Sequence, residues 1–496
     1  TISVIPTGGA RIALIVYMLL PVIILDNGRA FYSGLNLKVV ESVLMTGIIG
    51  NQWTGVILAA GRGSRMKSRL PKVLHQVCGR ELIKYPVELM HQLGINNIII
   101  VVSPENIAAI QQTLGDGFEY VVQYDPKGTG DALERVMPMI LGGDHQVLVM
   151  NGDVPLLRSQ SVEKLCLSHS NKLASMSLLT VSDVIEQELG IIHRDIEGRI
   201  THILEAADGP DFESDSFLEA NVGVYCFDPK FLGRSINKIT SNKSGERYIT
   251  SLAAIADEDG TEINAENCSK LEELLGVNNR VELSRVEAIE RQRILEHWML
   301  EGVTIQDPAS VYIDHDVVIG QDSIIFPNTA LRGTTQIGED CQIGPNALID
   351  NSVIGNRNRI ICSHLESSTI ESGVTVGPFS HLRPGSYLES NVYIGNYVEV
   401  KNTWLAEGSV AGHFSYLGDA TIGSDVNIGA GTITCNFDGI NKHNTHIEPG
   451  AFIGCDTLLV APVTVGARAS TGAGAVVIKD VPESRLVVGV PARIIR

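Results

Sequence analysis

The chain lacks a surplus of basic residues, has few aromatics, and has no uninterrupted apolar run of membrane-spanning length. Its 38 Lys and Arg are outnumbered by 57 Asp and Glu, for a formal net charge of −19. Nonspecific nucleic-acid binding needs a basic face, so no nucleic-acid partner is expected. Aromatics make up 5%, too few for a base-stacking surface. The stretch RIALIVYMLLPVIIL, Arg11 to Leu25, is broken by Pro21, whereas a spanning helix needs about 20 apolar residues. No stable membrane association is expected. Eight cysteines are present and none forms a CxxC pair. That excludes cysteine-based zinc spacing and argues against a disulfide framework. A reducing, cytoplasmic setting follows as the expectation.

What is there divides the chain into four. Residues 1–53 read as an extension foreign to the fold, with a targeting segment or an anchor as alternatives. From 54 to 277, short apolar runs alternate with helix-like segments: GVILAA, ELIKYPVELMHQLG, NIIIVV, PENIAAIQQTLG, FEYVVQ, GTGDALERVMPMI, HQVLVMNGDVPL. This rhythm predicts a parallel sheet with helices on both faces. Ligands sit beyond the carboxyl ends of such strands. Residues 278–302 read as one charged connecting helix stopped by Gly302. From 303 to 496 an aliphatic residue recurs every sixth position, as at Ile319, Ile325, Leu331, Ile337, Ile343 and Ile349. The beat resumes at Ile370, and again at Tyr416, Ile422 and Ile428. Such hexads build a parallel β-helix whose aliphatic residues stack inward. TITCNFDGINKHNTH, Thr432 to His446, breaks the beat and predicts an extruded loop.

ILAAGRGSRMKSRLPKVL, Ile57 to Leu74, carries the first chemistry. Gly61 and Gly63 allow close backbone approach, and Arg65 and Lys72 suit phosphate. Alone, the stretch reads more readily as a tight turn than as a site. GTG at Gly128–Gly130 and NGDVPL at Asn151–Leu156 strengthen the phosphate reading. Asp153 then becomes a candidate Mg²⁺ ligand, since magnesium takes few carboxylates and completes its shell with phosphate and water. Arg62, Lys67 and Arg69 read as solvated charges. In the second half, His413 within AGHFSYLG is the candidate base for a proton-transfer step near neutral pH.

LAAGRGSRM with LPKVL resembles the sugar-1-phosphate nucleotidyltransferase signature. QYDPKGTGDA, NGDVPL, EANVGVY, GERYIT and GVNNR, joined to the hexads and to LRPG, AGHFSYLGDA and NIGAGTITCNFDG, narrow the resemblance. It is to the bifunctional UDP-N-acetylglucosamine pyrophosphorylases and glucosamine-1-phosphate acetyltransferases, from Thr54 almost to the C-terminus. The implied fold is α/β: a Rossmann-like nucleotidyltransferase domain, a connecting helix and a left-handed parallel β-helix. The resemblance implies UTP held by Leu58, Ala60, Gly61, Gly63, Arg65 and Lys72, with Gln123, Gly128 and Thr129 on the uracil side. It implies Mg²⁺ on Asp153 and Asn278, and the amino sugar on Gly190, Glu205 and Asn221. For acetyl transfer it implies His413 as general base and Arg383, Lys401, Tyr416 and Asn427 around glucosamine-1-phosphate. Acetyl-CoA falls to Ala430, Asn436, Phe437, Cys455 and Ala473. The product of this step, N-acetylglucosamine-1-phosphate, feeds the uridylyl reaction. A homotrimer is implied.

The chain departs from the family's usual residues in places. ELGII, Glu188 to Ile192, stands where G-Y-G-R is usual, and Asn151 precedes the Gly-Asp pair. Phe437, Cys455 and Val490 replace Tyr, Ser and Arg. The first two departures bear on sugar preference. They keep open an alternative: a nucleotidyltransferase of altered specificity whose β-helix only assembles the oligomer.

Overall fold

The computed structural model describes residues 25–26, 29–30, 52–184, 190–205, 218–242, 245–268 and 270–496. The Arg11–Leu25 run lies outside these except for its last residue.

A nine-stranded sheet organises the first half. Its strands are β1 (Trp53–Leu58), β2 (Ile98–Val102), β3 (Glu119–Val122), β4 (Gln146–Asn151), β5 (Met176–Val184), β6 (Ile191–Arg194), β7 (Ile200–Leu204), β8 (Leu218–Phe227) and β9 (Ile263–Asn267). The order is β7-β6-β8-β4-β1-β2-β3, with β5 on the other edge of β8 and β9 beside β5. Helices α1 (Lys84–Gln92), α2 (Ile107–Leu114), α3 (Thr129–Ile140) and α4 (Ser159–Lys172) make the crossovers. β4, β1, β2 and β3 run parallel, as expected. The expected all-parallel sheet is corrected beyond them: β8 is antiparallel to β4, β5 and β6. Alternate strand residues feed separate cores on the two faces. Ile57, Ile100 and Met150 lie on one, Val56, Ile99 and Val149 on the other. Two covered faces explain why these strands read as unbroken apolar runs.

β1 and β4 are parallel neighbours, with Leu58 opposite Asn151. Their carboxyl ends therefore release the glycine loop and the Gly152–Asp153 loop side by side. Helix α5 (Arg280–Leu300) begins at Asn279, whose side chain accepts from the backbone N–H groups of Val281 and Glu282, an N-cap worth about 1 kcal/mol. Among its residues, Val286, Ile294 and Leu295 are buried in one core with Leu82, Val303 and the inward residues of the second half.

That second half is a solenoid, mostly of two- and three-residue strands with nine-residue strands at Tyr393–Lys401 and Val410–Gly418, stacked in parallel register up to a C-terminal antiparallel pair, Leu486–Val488 and Arg493–Ile494. Ile324 pairs with Gln342, eighteen residues on, and Arg359 with Thr375, sixteen on. Between Ile349 and Ile370, where the six-beat is not legible, Ile354, Ile360 and Leu365 keep the inward column with shortened coils. One beat residue is corrected. Leu417, not Tyr416, is inward at 0% exposure, because the column shifts by one at Leu405, Ala411 and Leu417. The extruded loop is also shorter than expected. Ile433–Cys435 remains a strand paired with Leu458–Val460, and buried Thr434 fills the inward position. The chain leaves the solenoid at Asn436 and re-enters at Thr445, with Phe437 and Lys442 bridged across the excursion.

Candidate active sites

A cleft of about 660 Å³ opens at the carboxyl ends of β1 and β4. Leu58, Ala60, Gly61, Arg65, Lys72, Gln123, Gly128, Thr129 and Asp153 all line it. Gly63 supports it from behind. A β-carbon built on Gly61 would touch nothing within 4 Å, so no packing demand of the protein explains that glycine. The Lys72 ammonium donates to the Asp153 carboxylate and, at 3.2 Å, to Asn278 Oδ1. The Val277 N–H donates to the Asp153 carbonyl at 3.0 Å, which seats Asn278 beside the strand end. Arg62, expected as a solvated charge, also lines the cleft; Lys67 and Arg69 are exposed.

The opposite wall is the GTG turn. Gln123 Nε2 donates to the Gly128 carbonyl at 3.1 Å and to Asp131 Oδ2 at 2.7 Å. The turn is clamped by residues 245–250: Gly130 N–H donates to the Arg247 carbonyl and Ile249 N–H to Thr129 Oγ1. Glu246 and Tyr248 of that segment line the cleft, roles that the motif GERYIT alone did not assign. Gly190, Glu205 and Asn221, none of which lines this cleft, come together. Asn221 N–H donates to the Gly190 carbonyl at 2.8 Å, and a β-carbon on Gly190 would stand 3.6 Å from Glu205 Oε2. Thr250 Oγ1 donates to Glu205 and Asn221 Nδ2 to Tyr225 OH, each at 2.6 Å. Of the ELGII departure, Glu188 and Leu189 lie outside the described residues, while Ile191 and Ile192 are buried.

The solenoid gathers the second set. His413 is an exposed residue of the strand Val410–Gly418. The register continues from Ala411↔Ile428 to Ile428↔Ile453. Ala430, Cys455 and Ala473 follow His413 at one corner, coil over coil, with Asp456 N–H donating to the Ala430 carbonyl and Gly474 N–H to the Cys455 carbonyl. Gly429 makes this corner possible: its β-carbon would stand 2.6 Å from the Ile453 carbonyl oxygen. Around the adjoining face, Arg383 donates to Glu399 Oε1 at 2.8 Å, and Lys401 stands one coil above Arg383. Tyr416 is on the next coil, opposite Glu399, with Asn436 Nδ2 3.4 Å from its hydroxyl. Asn427 stands one coil above Val410. Phe437 is exposed on the extruded segment. Lys442, which the motifs did not single out, approaches Lys401 closely enough for the neighbouring ammonium to lower its pKa. Two crowded ammonium groups make a ready anion site.

Comparison with known proteins adds two matched families. A nucleotidyl transferase model matches residues 54–267, and a bacterial transferase hexapeptide model matches residues 316–351 and 367–402. Curated relatives match along nearly their whole length. The Bifunctional protein GlmU of Geobacillus sp. (strain WCH70) is 43% identical over 432 residues, 87% of this chain and 94% of that protein. The chain belongs to the bifunctional GlmU family. Those of Exiguobacterium sibiricum and Heliobacterium modesticaldum are 42% and 43% identical, covering 96% and 95% of their own lengths. As a GlmU-family member the chain is an enzyme of two activities, UDP-N-acetylglucosamine diphosphorylase and glucosamine-1-phosphate N-acetyltransferase. This sets aside the reading of the β-helix as a mere scaffold.

Proposed function

We propose that the β1/β4 cleft carries uridylyl transfer and the His413 corner carries acetyl transfer. The units would be residues 54–277 and 303–496, joined by 278–302. One observation carries the reading most. Lys72, Asp153 and Asn278, 81 and 206 positions apart along the chain, meet at one ammonium group on the cleft floor.

In uridylyl transfer, a phosphate oxygen of N-acetylglucosamine-1-phosphate attacks the α-phosphorus of UTP and pyrophosphate leaves. Positioning and charge neutralisation dominate such reactions. Arg65, Lys72 and the backbone at Ala60, Gly61 and Gly63 receive the triphosphate beside Leu58, and Gln123, Gly128 and Thr129 the uracil. Gly190, Glu205 and Asn221 orient the amino sugar. The donor set fits Mg²⁺, because the oxygens of Asp153 and Asn278 already converge on one cation. Those two residues would hold it, and when bound it would neutralise phosphate charge.

In acetyl transfer, the amine of glucosamine-1-phosphate attacks the thioester carbonyl of acetyl-CoA and the coenzyme A thiolate leaves. His413 removes the amine proton. Arg383, Lys401 and Lys442 hold the sugar phosphate, and Tyr416 and Asn427 flank the ring. Ala430, Asn436, Phe437, Cys455 and Ala473 line the groove for the acyl donor. Exposed Trp404, Phe414 and Phe452 on the solenoid support a homotrimer whose neighbours cover them. Among the described residues no helix is long and apolar enough to cross a membrane; a cytoplasmic setting is part of the same proposal.

The test is a coupled reaction with glucosamine-1-phosphate, acetyl-CoA, UTP and Mg²⁺, omitting each in turn and weighing the products. UDP-N-acetylglucosamine should require all four, and N-acetylglucosamine-1-phosphate should bypass acetyl-CoA. A UDP-sugar formed from glucosamine-1-phosphate without acetyl-CoA would show that the uridylyl site prefers the unacetylated sugar, against this assignment.

A further inference from the structure

His364, Glu366 and His381 form a cluster that neither proposed reaction uses. His364 and His381 are direct partners on adjacent parallel coils. The intervening Leu365 and the following Leu382 are fully buried. Alternation along a strand therefore turns His364, Glu366 and His381 to the same outer face. The two imidazole rings stack with centroids 4.8 Å apart and planes 3° from parallel. Both point Nε2 at one carboxylate oxygen, Glu366 Oε1, at 2.8 Å from His381 and 3.4 Å from His364. One candidate ligand atom from each residue lies within 4.8 Å of the others. All three side chains are partly exposed, between 35% and 39%, so an ion can enter without unfolding the coil.

We propose that His364, Glu366 and His381 bind a divalent transition-metal ion of the zinc class. Imidazole nitrogen with one carboxylate suits zinc and disfavours magnesium, which prefers all-oxygen shells. Zinc takes such ligands at about 2.0–2.2 Å in a tetrahedron, which asks only that the three side chains close around a shared centre. Both strands are paired in the solenoid ladder, so that closure falls to rotation of the side chains. Two histidines and one carboxylate leave a fourth position for water or an anion. Arg383, two residues beyond His381 on the same outer column, interacts electrostatically with Glu366, so an anion in the open position would also meet a guanidinium. The chain spacing explains why no short motif announces the site. His364 and Glu366 are two apart, but His381 arrives one full coil later.

The test uses the full chain dialysed against zinc chloride with magnesium in large excess, which occupies oxygen-only sites. Bound zinc is read by elemental mass spectrometry. One magnesium-resistant zinc per chain is expected. The double variant His364→Asn/His381→Asn should lose it, Glu366→Gln should weaken it by about 10-fold or more, and the exposed His446→Asn should keep it. Full zinc retained by the double variant overturns the proposal, as does a wild-type chain with no magnesium-resistant zinc. Cobalt in the wild-type chain gives a measure independent of any variant. Intense visible bands of four-coordinate cobalt support the site, and the pale spectrum of the six-coordinate ion contradicts it.

Discussion

Gly63 stands directly against Lys72: a β-carbon built on the glycine would lie 2.7 Å from the β-carbon of the lysine. Gly63 is also in the left-handed region, at φ 58°. The glycine thus sets both the shape of the loop and the seat of the ammonium group that meets Asp153 and Asn278. Two other glycines of the region differ. Gly61 faces open space, and a β-carbon on Gly152 would stand 3.2 Å from the Leu58 carbonyl.

Gly63→Ala should push Lys72 out of place and strain the loop by about 1–2 kcal/mol. Misplacing a positioning group by about 1 Å costs on the order of 100-fold in rate. Uridylyl transfer should fall by that order, and Lys72→Ala should do at least as much. Acetyl transfer, measured in the same preparations by thiol release, should hold. Equal loss of both activities would show a folding defect instead.

His413→Ala should remove acetyl transfer, with a loss of about 100- to 10,000-fold for a general base. Uridylyl transfer from supplied N-acetylglucosamine-1-phosphate should be unchanged. An alanine variant that still acetylates at near wild-type rate excludes His413 as the base.

Lys442→Ala should raise KM for glucosamine-1-phosphate more than it lowers kcat, because a phosphate contact is made in ground and transition states alike. Its crowding against Lys401 predicts that inorganic phosphate competes with the substrate in the wild type and less so in the variant. A variant whose phosphate inhibition matches wild type would place Lys442 outside the subsite.

His169 predicts an acid-sensitive stability. It is buried in α4, with Nδ1 2.7 Å from Ser177 Oγ and Nε2 2.9 Å from Gln146 Oε1. Burial pushes its pKa down to about 4 from an ordinary 6.5. The folded chain keeps it neutral while the unfolded chain takes up a proton below pH 6.5. The stabilisation is therefore complete above that pH, is lost as pH falls toward about 4, and amounts to about 3 kcal/mol. Urea midpoints measured across this window should fall steeply for wild type. They should fall less for His169→Gln, with His75 and His193, also depressed by burial, left to supply the residual slope. Identical slopes would remove His169 from the account.

Local pattern and chain order were enough for much of this. Unbroken apolar runs such as NIIIVV announced strands covered on both faces, since each residue has a core to enter. The hexad beat announced the solenoid, because a repeating coil must put an aliphatic residue inward at each turn. The glycine loop, the GTG turn and the Asp153 loop were legible as motifs, each being contiguous. Where regularity lapsed, legibility lapsed too. Coils of sixteen and seventeen residues hid Ile354, Ile360 and Leu365, and a one-residue slip at Leu405 put Tyr416 in the wrong column.

Contacts between distant segments obey no local period, and the folded chain alone set them. Side-chain period and coil length together placed Tyr416 outward and Leu417 inward. A backbone bond from Val277 to Asp153 seated Asn278 beside Lys72, which no spacing within either motif specifies. The approach of Lys442 to Lys401, the clamp of residues 245–250 on the GTG turn, and the meeting of His364 with His381 likewise depend on which coil or loop lies over which. Amino-acid order names the groups that can do chemistry; the distance between them is a property of the packed chain.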